Sequence, residues 1–351
     1  VRQAAHKALS AVRQTIPTLL KEAYKKQYAT IPSFFSSAEA PWPIREAYLP
    51  ISIQARKAVR AREQQPSPTQ ESKSLAIQNE LALTTLFDGC DAAKEARTVL
   101  LVGAAGMGKT TLCHKLAYAW AQGRWYATKF EAVYLLPVRH LTKAKYHGGD
   151  LRSRHNLETV IAQECFGAQN RDDDAFEALV DYLKHQLEER SERVLLIIDG
   201  LDERQDASEA LIEQALRRGN HAYRLLVGRP YGAEAERNKL LRASQLVRHI
   251  EHRGFDTSAT KQYIQRYFQG EAQQGAGLCT FLQAHPSVHK LARVPLHLQL
   301  LCKLWKEDGT LQGGSLTRLY QRLADYCYRR YEEEEGRPTV TLRCGRRAQT
   351  L

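Results

Sequence analysis

Residues 99–112, VLLVGAAGMGKTTL, carry glycine, lysine and threonine at the spacing of a phosphate-binding loop. Gly103, Gly108, Lys109 and Thr110 fit the pattern G-x-x-x-x-G-K-[ST]. Glycines let backbone N–H groups approach a phosphate closely, the lysine adds a positive charge beside the β- and γ-phosphates, and the threonine hydroxyl can bind Mg²⁺. The predicted nucleotide-binding residues of this loop are Gly103, Ala104, Ala105, Gly106, Met107, Gly108, Lys109, Thr110 and Thr111.

A cluster of acidic residues follows an apolar run in the sequence RVLLIIDGLDE, residues 193–203. Val194–Ile198 can be buried on both faces as a strand, and Asp199, Asp202 and Glu203 come directly after it. Ligands of parallel sheets bind at the carboxyl ends of the strands, so these acids are expected to meet the phosphate loop. We predict that Asp199 binds Mg²⁺ together with the loop threonine. Asp202 and Glu203 would orient or deprotonate the attacking water.

A third candidate is Arg229, which directly follows the mostly apolar segment RLLVG at residues 224–228. An arginine at the carboxyl end of such a strand can sense the γ-phosphate or stabilise charge in a transition state. The alternative is an arginine that is merely exposed on the surface. Asp202, Glu203 and Arg229 are therefore the predicted catalytic residues.

Short apolar strands alternate with amphipathic helices over most of the chain. Strand candidates are Thr98–Val102, Ala132–Val138, Val194–Ile198, Arg224–Val227 and Leu246–Ile250, and helical patterns include Lys109–Gln122 and Asp174–Arg190. This alternation predicts an α/β fold in which helices sandwich a parallel sheet. After Phe255 the pattern is purely helical, so a small all-α domain should follow.

The ends of the chain are less regular. Residues 1–30 predict two short helices broken near Pro17, the second with Leu19, Leu20, Ala23 and Tyr24 on its apolar face. The polar, proline-containing stretch 62–74 is the best linker candidate. We expect four segments: an N-terminal segment and linker (1–75), a nucleotide-binding domain (76–255), a helical domain (256–313) and a last segment (314–351) that is either the start of another domain or a tail.

Bulk composition gives weaker constraints. The formal net charge of +12 leaves a nucleic-acid partner possible, but no compact basic block with interleaved aromatic residues supports one. The seven cysteines are scattered without a C-x-x-C pair, which favours reduced thiols in a cytoplasmic protein. No apolar run approaches the roughly 18 residues of a membrane span. The only methionine is Met107, so we expect a piece of a longer protein.

Taken together, these segments resemble the NACHT family of signal-transducing P-loop ATPases, within the STAND group, over residues 76–335. The similar segments are GAAGMGKTTL, YLLPVRHL (134–141), LLIIDGLDE, LLVGRP, HRGFDTSATKQYIQRYF (252–268), RVPLHLQLLCKLW (293–305) and SLTRLYQRLADYC (315–327). The resemblance implies that ATP or ADP with Mg²⁺ controls a conformational switch in defence or stress signalling. It also implies slow hydrolysis, self-association on activation and a sensor region beyond this chain.

The resemblance implies one further binding residue, and the sequence differs from the family pattern at two points. Pro295 matches a proline that packs near the adenine in the family, so the helical domain would form part of the nucleotide site. Gly228 stands where the family usually has serine or threonine before the sensor arginine. The chain also stops before the rest of the winged-helix domain, whose histidine contacts the nucleotide in the family.

Two other hypotheses about function remain open. The first is a conventional AAA+-like remodeller or a nucleic-acid-stimulated ATPase, for which the positive charge would serve a polyanion. The second is a degenerate loop that binds no nucleotide. Neither an N-K-x-D-like guanine reader nor an LSGGQ-like stretch follows the loop, which disfavours a GTPase and an ABC transporter.

Overall fold

A computed structural model describes most of the chain. It covers residues 2–31, 41–49, 52–55, 83–88, 96–141, 156–167, 174–217, 221–230 and 247–309, and a few positions between 320 and 328. The linker predicted at 62–74 and most of the segment predicted at 314–351 lie outside the described residues.

The predicted α/β fold is confirmed by the order of strands and helices. The strands are β1 (Thr30–Ile31), β2 (Trp42–Pro43), β3 (Ser52–Ala55), β4 (Thr98–Val102), β5 (Ala132–Pro137), β6 (Val194–Asp199), β7 (Tyr223–Gly228) and β8 (Val247–Gly254). The helices before β7 are α1 (Arg2–Gln27), α2 (Ile44–Ala47), α3 (Lys109–Ala121), α4 (Val138–Leu141), α5 (Leu157–Phe166), α6 (Asp174–Glu189) and α7 (Asp206–Arg217). After β8 come α8 (Thr257–Tyr267), α9 (Ala272–Ala284), α10 (Pro286–Ala292) and α11 (Pro295–Asp308).

One six-stranded sheet carries the candidate site, with the strand order β3-β8-β4-β7-β6-β5. Strands β4 to β8 are mutually parallel, whereas the edge strand β3 runs antiparallel to β8. Val102 pairs with Gly228, and Asp199 pairs with Val227. The loop after β4 and the acids after β6 therefore leave the same edge of the sheet.

The central strands are buried along their whole length. Every residue of β4, β6 and β7 is buried, because helices cover the sheet and neighbouring strands protect its backbone. Leucine, valine and isoleucine make up most of these strands, as expected when neither face meets water. This rigid centre fixes the positions at which the functional loops begin.

Helix α1 differs from the sequence prediction. It is one continuous helix from Arg2 to Gln27 with Pro17 inside it, so the predicted break near Pro17 is wrong. The apolar face is also shifted: Leu20 and Tyr24 are buried as predicted, but Leu19 is 50% exposed. The missing N–H of a proline weakens a helix locally, and burial of one face against the domain offsets this loss.

The same helix covers one edge of the sheet. It packs against α3, α5 and α6. The backbone N–H of Leu135 in β5 donates to the hydroxyl of Tyr24 at 3.0 Å, which gives the outer strand a partner. Tyr24 and Tyr28 also belong to the core around the sheet. Residues before position 75 thus take part in the main core.

A second core lies between the helices after β8. Its buried residues include Phe255, Ile264, Leu278, Leu298 and Trp305. Helix α8 begins at Thr257, and the side chain of Asp256 caps it by accepting a hydrogen bond from the N–H of Ala259. Proline opens both α10 and α11, at the position where its missing N–H costs least.

Candidate functional site

The phosphate loop joins the end of β4 to the start of α3. Gly106 and Gly108 have φ angles of +72° and +87°, which residues with a Cβ rarely adopt. Gly108 is the N-cap of α3 and offers no side-chain cap, so the first N–H groups of the helix have no capping side chain. A helix start of this kind attracts anions.

The other predicted loop residues are distributed around this turn. Ala104 and Ala105 are exposed, Met107 is partly buried, and Thr110 and Thr111 lie in the first turn of α3. The N–H of Gly103 donates to the carbonyl oxygen of Gly228 at 3.2 Å, which ties the loop to the end of β7. The loop is thus anchored at its base while its tip is open.

Lys109 folds back over its own loop. Its ammonium group donates to the carbonyl oxygens of Gly103 at 2.8 Å and Ala104 at 2.9 Å. Burial lowers the pKa of Lys109, and the charges of Asp202 and Asp199 oppose this decrease. The lysine is therefore held among acceptors that a phosphate would have to replace.

Asp199 and Thr110 meet at the base of the loop. Asp199 ends β6 with only 7% of its surface exposed. Burial raises the pKa of Asp199, and a hydrogen bond from the Thr110 side chain opposes this rise. A carboxylate paired with a hydroxyl beside a phosphate site fits Mg²⁺, which uses one or two carboxylates plus phosphate oxygens and water. Among the described residues, no group of three or more His, Cys, Asp or Glu side chains could hold a metal ion by itself.

Asp202 is engaged by Arg229. Its Oδ1 accepts a hydrogen bond from the backbone N–H of Arg229 at 2.8 Å, and its Oδ2 lies 2.9 Å from Nε of the same arginine. A Cβ on Gly228 would lie 3.1 Å from Cβ of Leu201 and 3.4 Å from Oδ1 of Asp202. The glycine therefore lets β7 approach the acidic turn, which is a physical reason for the residue type at this position.

Glu203 lies on the open side of the acidic turn. The turn begins at Gly200, which has a φ angle of +91°, and the N–H of Glu203 donates to the Gly200 carbonyl at 2.8 Å. The Glu203 side chain is exposed and bends over Gly200, where a Cβ would lie 3.1 Å from its Oε2. Among the described residues, Glu203 forms no ion pair, whereas Asp202 pairs with Arg229.

The helical unit formed by α8 to α11 touches the phosphate loop directly. The N–H of Leu296 donates to the carbonyl oxygen of Gly106 at 3.3 Å. Pro295 packs near Gly108, with its Cγ 3.9 Å from the position of a Cβ on that glycine. The start of α11 therefore forms one wall of the site, beside the loop rather than beyond it.

The junction between β8 and α8 is equally close. Gly254 has a φ angle of +81°, and a Cβ there would lie 2.2 Å from the carbonyl oxygen of Arg293. The N–H of Phe255 donates to this same oxygen at 2.8 Å. Only glycine fits at this crossing, because both its backbone angle and the available space exclude a side chain.

Sequence reasoning missed His252, which precedes this junction. His252 is 2% exposed, and its Cβ lies 2.9 Å from the position that a Cβ on Gly103 would occupy. Its Nδ1 accepts a hydrogen bond from the N–H of Gly254 at 3.0 Å. The sequence HRGF could not predict the contact between His252 and Gly103, because the two residues are far apart along the chain.

A profile of the NACHT domain matches residues 97–271. The chain belongs to the NACHT family. The matched region runs from the strand before the phosphate loop to the end of α8, and it includes every predicted catalytic and metal-binding residue. Pro295, on α11, lies outside it.

Several NACHT proteins are similar over most of this chain. Mouse "NACHT, LRR and PYD domains-containing protein 12" is 27% identical over 76% of this chain and 25% of its own length. Human "NACHT, LRR and PYD domains-containing protein 3" is 27% identical over 65% and 22%, respectively. Bovine "Nucleotide-binding oligomerization domain-containing protein 2" is 27% identical over 70% and 23%. The chain thus spans about a quarter of the length of these relatives.

Among solved structures, the Thermotoga maritima RuvB Holliday junction branch migration motor is similar with a TM-score of 0.31 and 16% identity. The similarity covers 70% of this chain and 76% of that one, and it is too low to support a shared function. None of the described helices is both long enough and apolar enough to cross a membrane.

Proposed function

We propose that this chain binds ATP or ADP with Mg²⁺ and acts as a nucleotide-controlled switch in signal transduction. The observation that carries the proposal is the contact of α11 with the phosphate loop, through Leu296 and Gly106 at 3.3 Å and through Pro295 beside Gly108. A nucleotide held by this loop would touch the sheet and the helical unit at once. Its identity could then bias how the two are packed.

Phosphate binding would use the loop backbone, the start of α3 and Lys109. The glycines at 106 and 108 supply the backbone conformation, and the N–H groups of the first helical turn supply donors. The ammonium group of Lys109 would exchange the carbonyls of Gly103 and Ala104 for phosphoryl oxygens. This exchange keeps the lysine hydrogen-bonded throughout.

Thr110 and Asp199 would hold the magnesium ion. Bound there, Mg²⁺ would neutralise charge on the phosphate oxygens. The Thr110 side chain forms a hydrogen bond with the buried carboxylate of Asp199, which places these two proposed ligands side by side.

Slow hydrolysis would use Glu203, Asp202 and Arg229. Glu203 is exposed at the mouth of the site, so it is the freer of the two acids to orient or deprotonate a water molecule. Asp202 accepts hydrogen bonds from the backbone N–H and from the guanidinium group of Arg229. If the guanidinium group left Asp202, it would be able to approach a γ-phosphate.

The switch itself requires different affinities for two packings. A nucleotide that contacts both the loop and α11 shifts their balance only by the difference between its two binding free energies, typically about 1–3 kcal/mol. Self-association on activation is part of this proposal, and the name of the bovine relative, which refers to an oligomerization domain, supports it.

The proposal is tested by measuring turnover and mass with different nucleotides. We expect turnover below about one per second, at the slow end of enzymes, and no stimulation by DNA or RNA. Light scattering should give different masses with Mg·ADP and with a non-hydrolysable ATP analogue. Fast turnover that rises with nucleic acid and falls steeply with salt would instead indicate a nucleic-acid-dependent motor.

A further inference from the structure

His252 lies where the phosphate loop meets the junction into the helical unit. It follows the last residue of β8 that pairs with β4, since Glu251 pairs with Val102. Its Cβ would be 2.9 Å from a Cβ on Gly103, and Cδ of Lys109 would be 3.5 Å from the same point. The histidine and the lysine thus converge on the first glycine of the loop.

The two ring nitrogens of His252 have different surroundings. Nδ1 accepts a hydrogen bond from the N–H of Gly254 at 3.0 Å. Burial lowers the pKa of His252 to about 4, and the charge of Lys109 adds to this effect. The ring is therefore neutral at pH 7, and its single proton lies on Nε2 because Nδ1 acts as the acceptor. Nε2 is buried and has no hydrogen-bond partner within the described part of the chain.

An unpartnered buried N–H is unfavourable, and such groups are rare in folded proteins. The loop residue against which His252 packs is Gly103, whose carbonyl accepts a hydrogen bond from the ammonium group of Lys109. Binding of a phosphate would draw the lysine away and leave that carbonyl without its donor. The unpartnered donor therefore belongs to a residue that packs against Gly103, and the carbonyl of Gly103 would lose its present donor on phosphate binding.

We propose that His252 couples phosphate binding to the interdomain junction by donating Nε2–H to the Gly103 carbonyl once Lys109 has turned to a phosphate. No bond is broken or formed covalently, and each donor simply changes its acceptor. Because Nδ1 keeps the N–H of Gly254, the imidazole then bridges the loaded loop and the junction. His252 is a positioning residue, and this role rests on the nucleotide binding proposed above.

A movement of His252 would reach the start of α11 through the junction at Gly254. Gly254 is held between His252 on one side and the carbonyl of Arg293 on the other, which also accepts the N–H of Phe255. Arg293 directly precedes Val294 and Pro295, at the start of α11. A shift at His252 would therefore be transmitted to the same helix that contacts the loop.

Two substitutions separate the two nitrogens of the ring. In His252→Asn, the amide oxygen can replace Nδ1 as an acceptor, but no group replaces the Nε2–H donor. In His252→Gln, the amide N–H can replace the Nε2–H donor, but no group replaces the Nδ1 acceptor. We expect His252→Asn to weaken Mg·ADP binding by about tenfold, whereas His252→Gln stays within about twofold to threefold of wild type. His185→Asn, on the distant helix α6, is the matched control and should leave affinity unchanged.

The coupling has its own readout in hydrogen exchange of the peptide that contains Gly254 and Phe255. In the wild type, Mg·ADP should slow exchange there; in His252→Gln, nucleotide should still bind without slowing it. Melting temperatures without nucleotide show whether either variant is simply misfolded. Equal affinity in all three proteins, or equal losses in Asn and Gln that match a lowered melting temperature, would overturn the role of His252. A wild type that binds no nucleotide would overturn the proposed function first.

Discussion

Asp202 and Arg229 are joined twice, through the backbone N–H of Arg229 at 2.8 Å and through its Nε at 2.9 Å. The side chain of Arg229 is 56% exposed, so the pair contributes little to stability, about 1 kcal/mol or less. The position of the pair is important, because it joins the end of β7 to the acidic turn after β6. An arginine that senses a γ-phosphate would have to leave this carboxylate.

Arg229→Ala should reduce discrimination between ATP and ADP. A charge-assisted contact to the γ-phosphate would be lost, while contacts to the other phosphates remain. We expect the ratio of ATP to ADP affinity to fall by about tenfold, with ADP affinity nearly unchanged. The measurement is titration with Mg·ADP and with a non-hydrolysable Mg·ATP analogue. Arg217→Ala, at the exposed end of α7, serves as the control. An unchanged ratio would show that Arg229 is only a surface residue.

Glu203→Gln should slow hydrolysis without weakening binding. The amide has the size of the carboxylate but cannot accept a proton from water, and loss of a general base typically costs about 100-fold or more in rate. Single-turnover measurements with bound ATP isolate this step from product release. Glu192→Gln, an exposed acid before β6, controls for the change in charge. If Asp202→Asn slows the reaction and Glu203→Gln does not, the assignment to Glu203 is wrong.

Gly254→Ala should loosen the junction more than a glycine substitution elsewhere. Gly254 and Gly270 both have φ angles in the left-handed region, at +81° and +95°. An alanine at Gly270 meets nothing within 4 Å and should cost about 1 kcal/mol of backbone strain. An alanine at Gly254 would strike the Arg293 carbonyl at 2.2 Å and should cost about 2 kcal/mol more.

Urea unfolding of the two glycine variants measures this difference directly. Because the backbone strain is shared, their difference reports the collision at the junction. Equal losses of unfolding free energy would contradict the close crossing of the two segments.

Stability should fall as the solution is acidified below pH 6.5. Burial lowers the pKa of His114 and of His252 to about 4, so the unfolded chain takes up protons at these positions before the folded one does. Each histidine should therefore cost roughly 2 kcal/mol of unfolding free energy between pH 7 and pH 5. The contribution is fully present above pH 6.5 and is lost progressively down to about pH 4.

A phenylalanine at position 114 isolates one of these contributions. His114 stacks on Tyr28 with ring centroids 4.4 Å apart, and phenylalanine can retain the stacking without titrating. His114→Phe should lose roughly 2 kcal/mol less than the wild type over the same pH interval, as measured by urea unfolding at both pH values. Identical losses in the two proteins would show that His114 does not carry the effect.

Much of the fold could be predicted because its signals are local. Mostly apolar runs predicted β4, β6 and β7, and a 3.6-residue period predicted α3 and α6, so these elements needed no knowledge of their neighbours. Helix α1 could not be predicted as one element, because Pro17 is a local signal for a break and the packing that overrides it involves distant helices. The antiparallel strand β3 is defined by pairing with β8, some two hundred residues later.

The candidate site divides in the same way. The phosphate loop and the acids after β6 have spacings tied to their chemistry, so sequence alone could propose them. The tie between Asp202 and Arg229, the approach of Leu296 to Gly106 and the position of His252 depend on strand order and on the packing of α11. Those contacts join residues that have no fixed spacing along the chain.

The central claim is that the loop at 103–110 holds a magnesium-bound nucleotide against the carboxylate of Asp199. Isothermal titration with Mg·ADP and Mg·ATP tests it most directly, on the wild type, on Lys109→Ala and on the exposed control Lys290→Ala. We predict saturable binding at one site, affinity at least about tenfold weaker in Lys109→Ala, and no change in Lys290→Ala. No saturation in the wild type, or equal affinity in Lys109→Ala, would contradict the account.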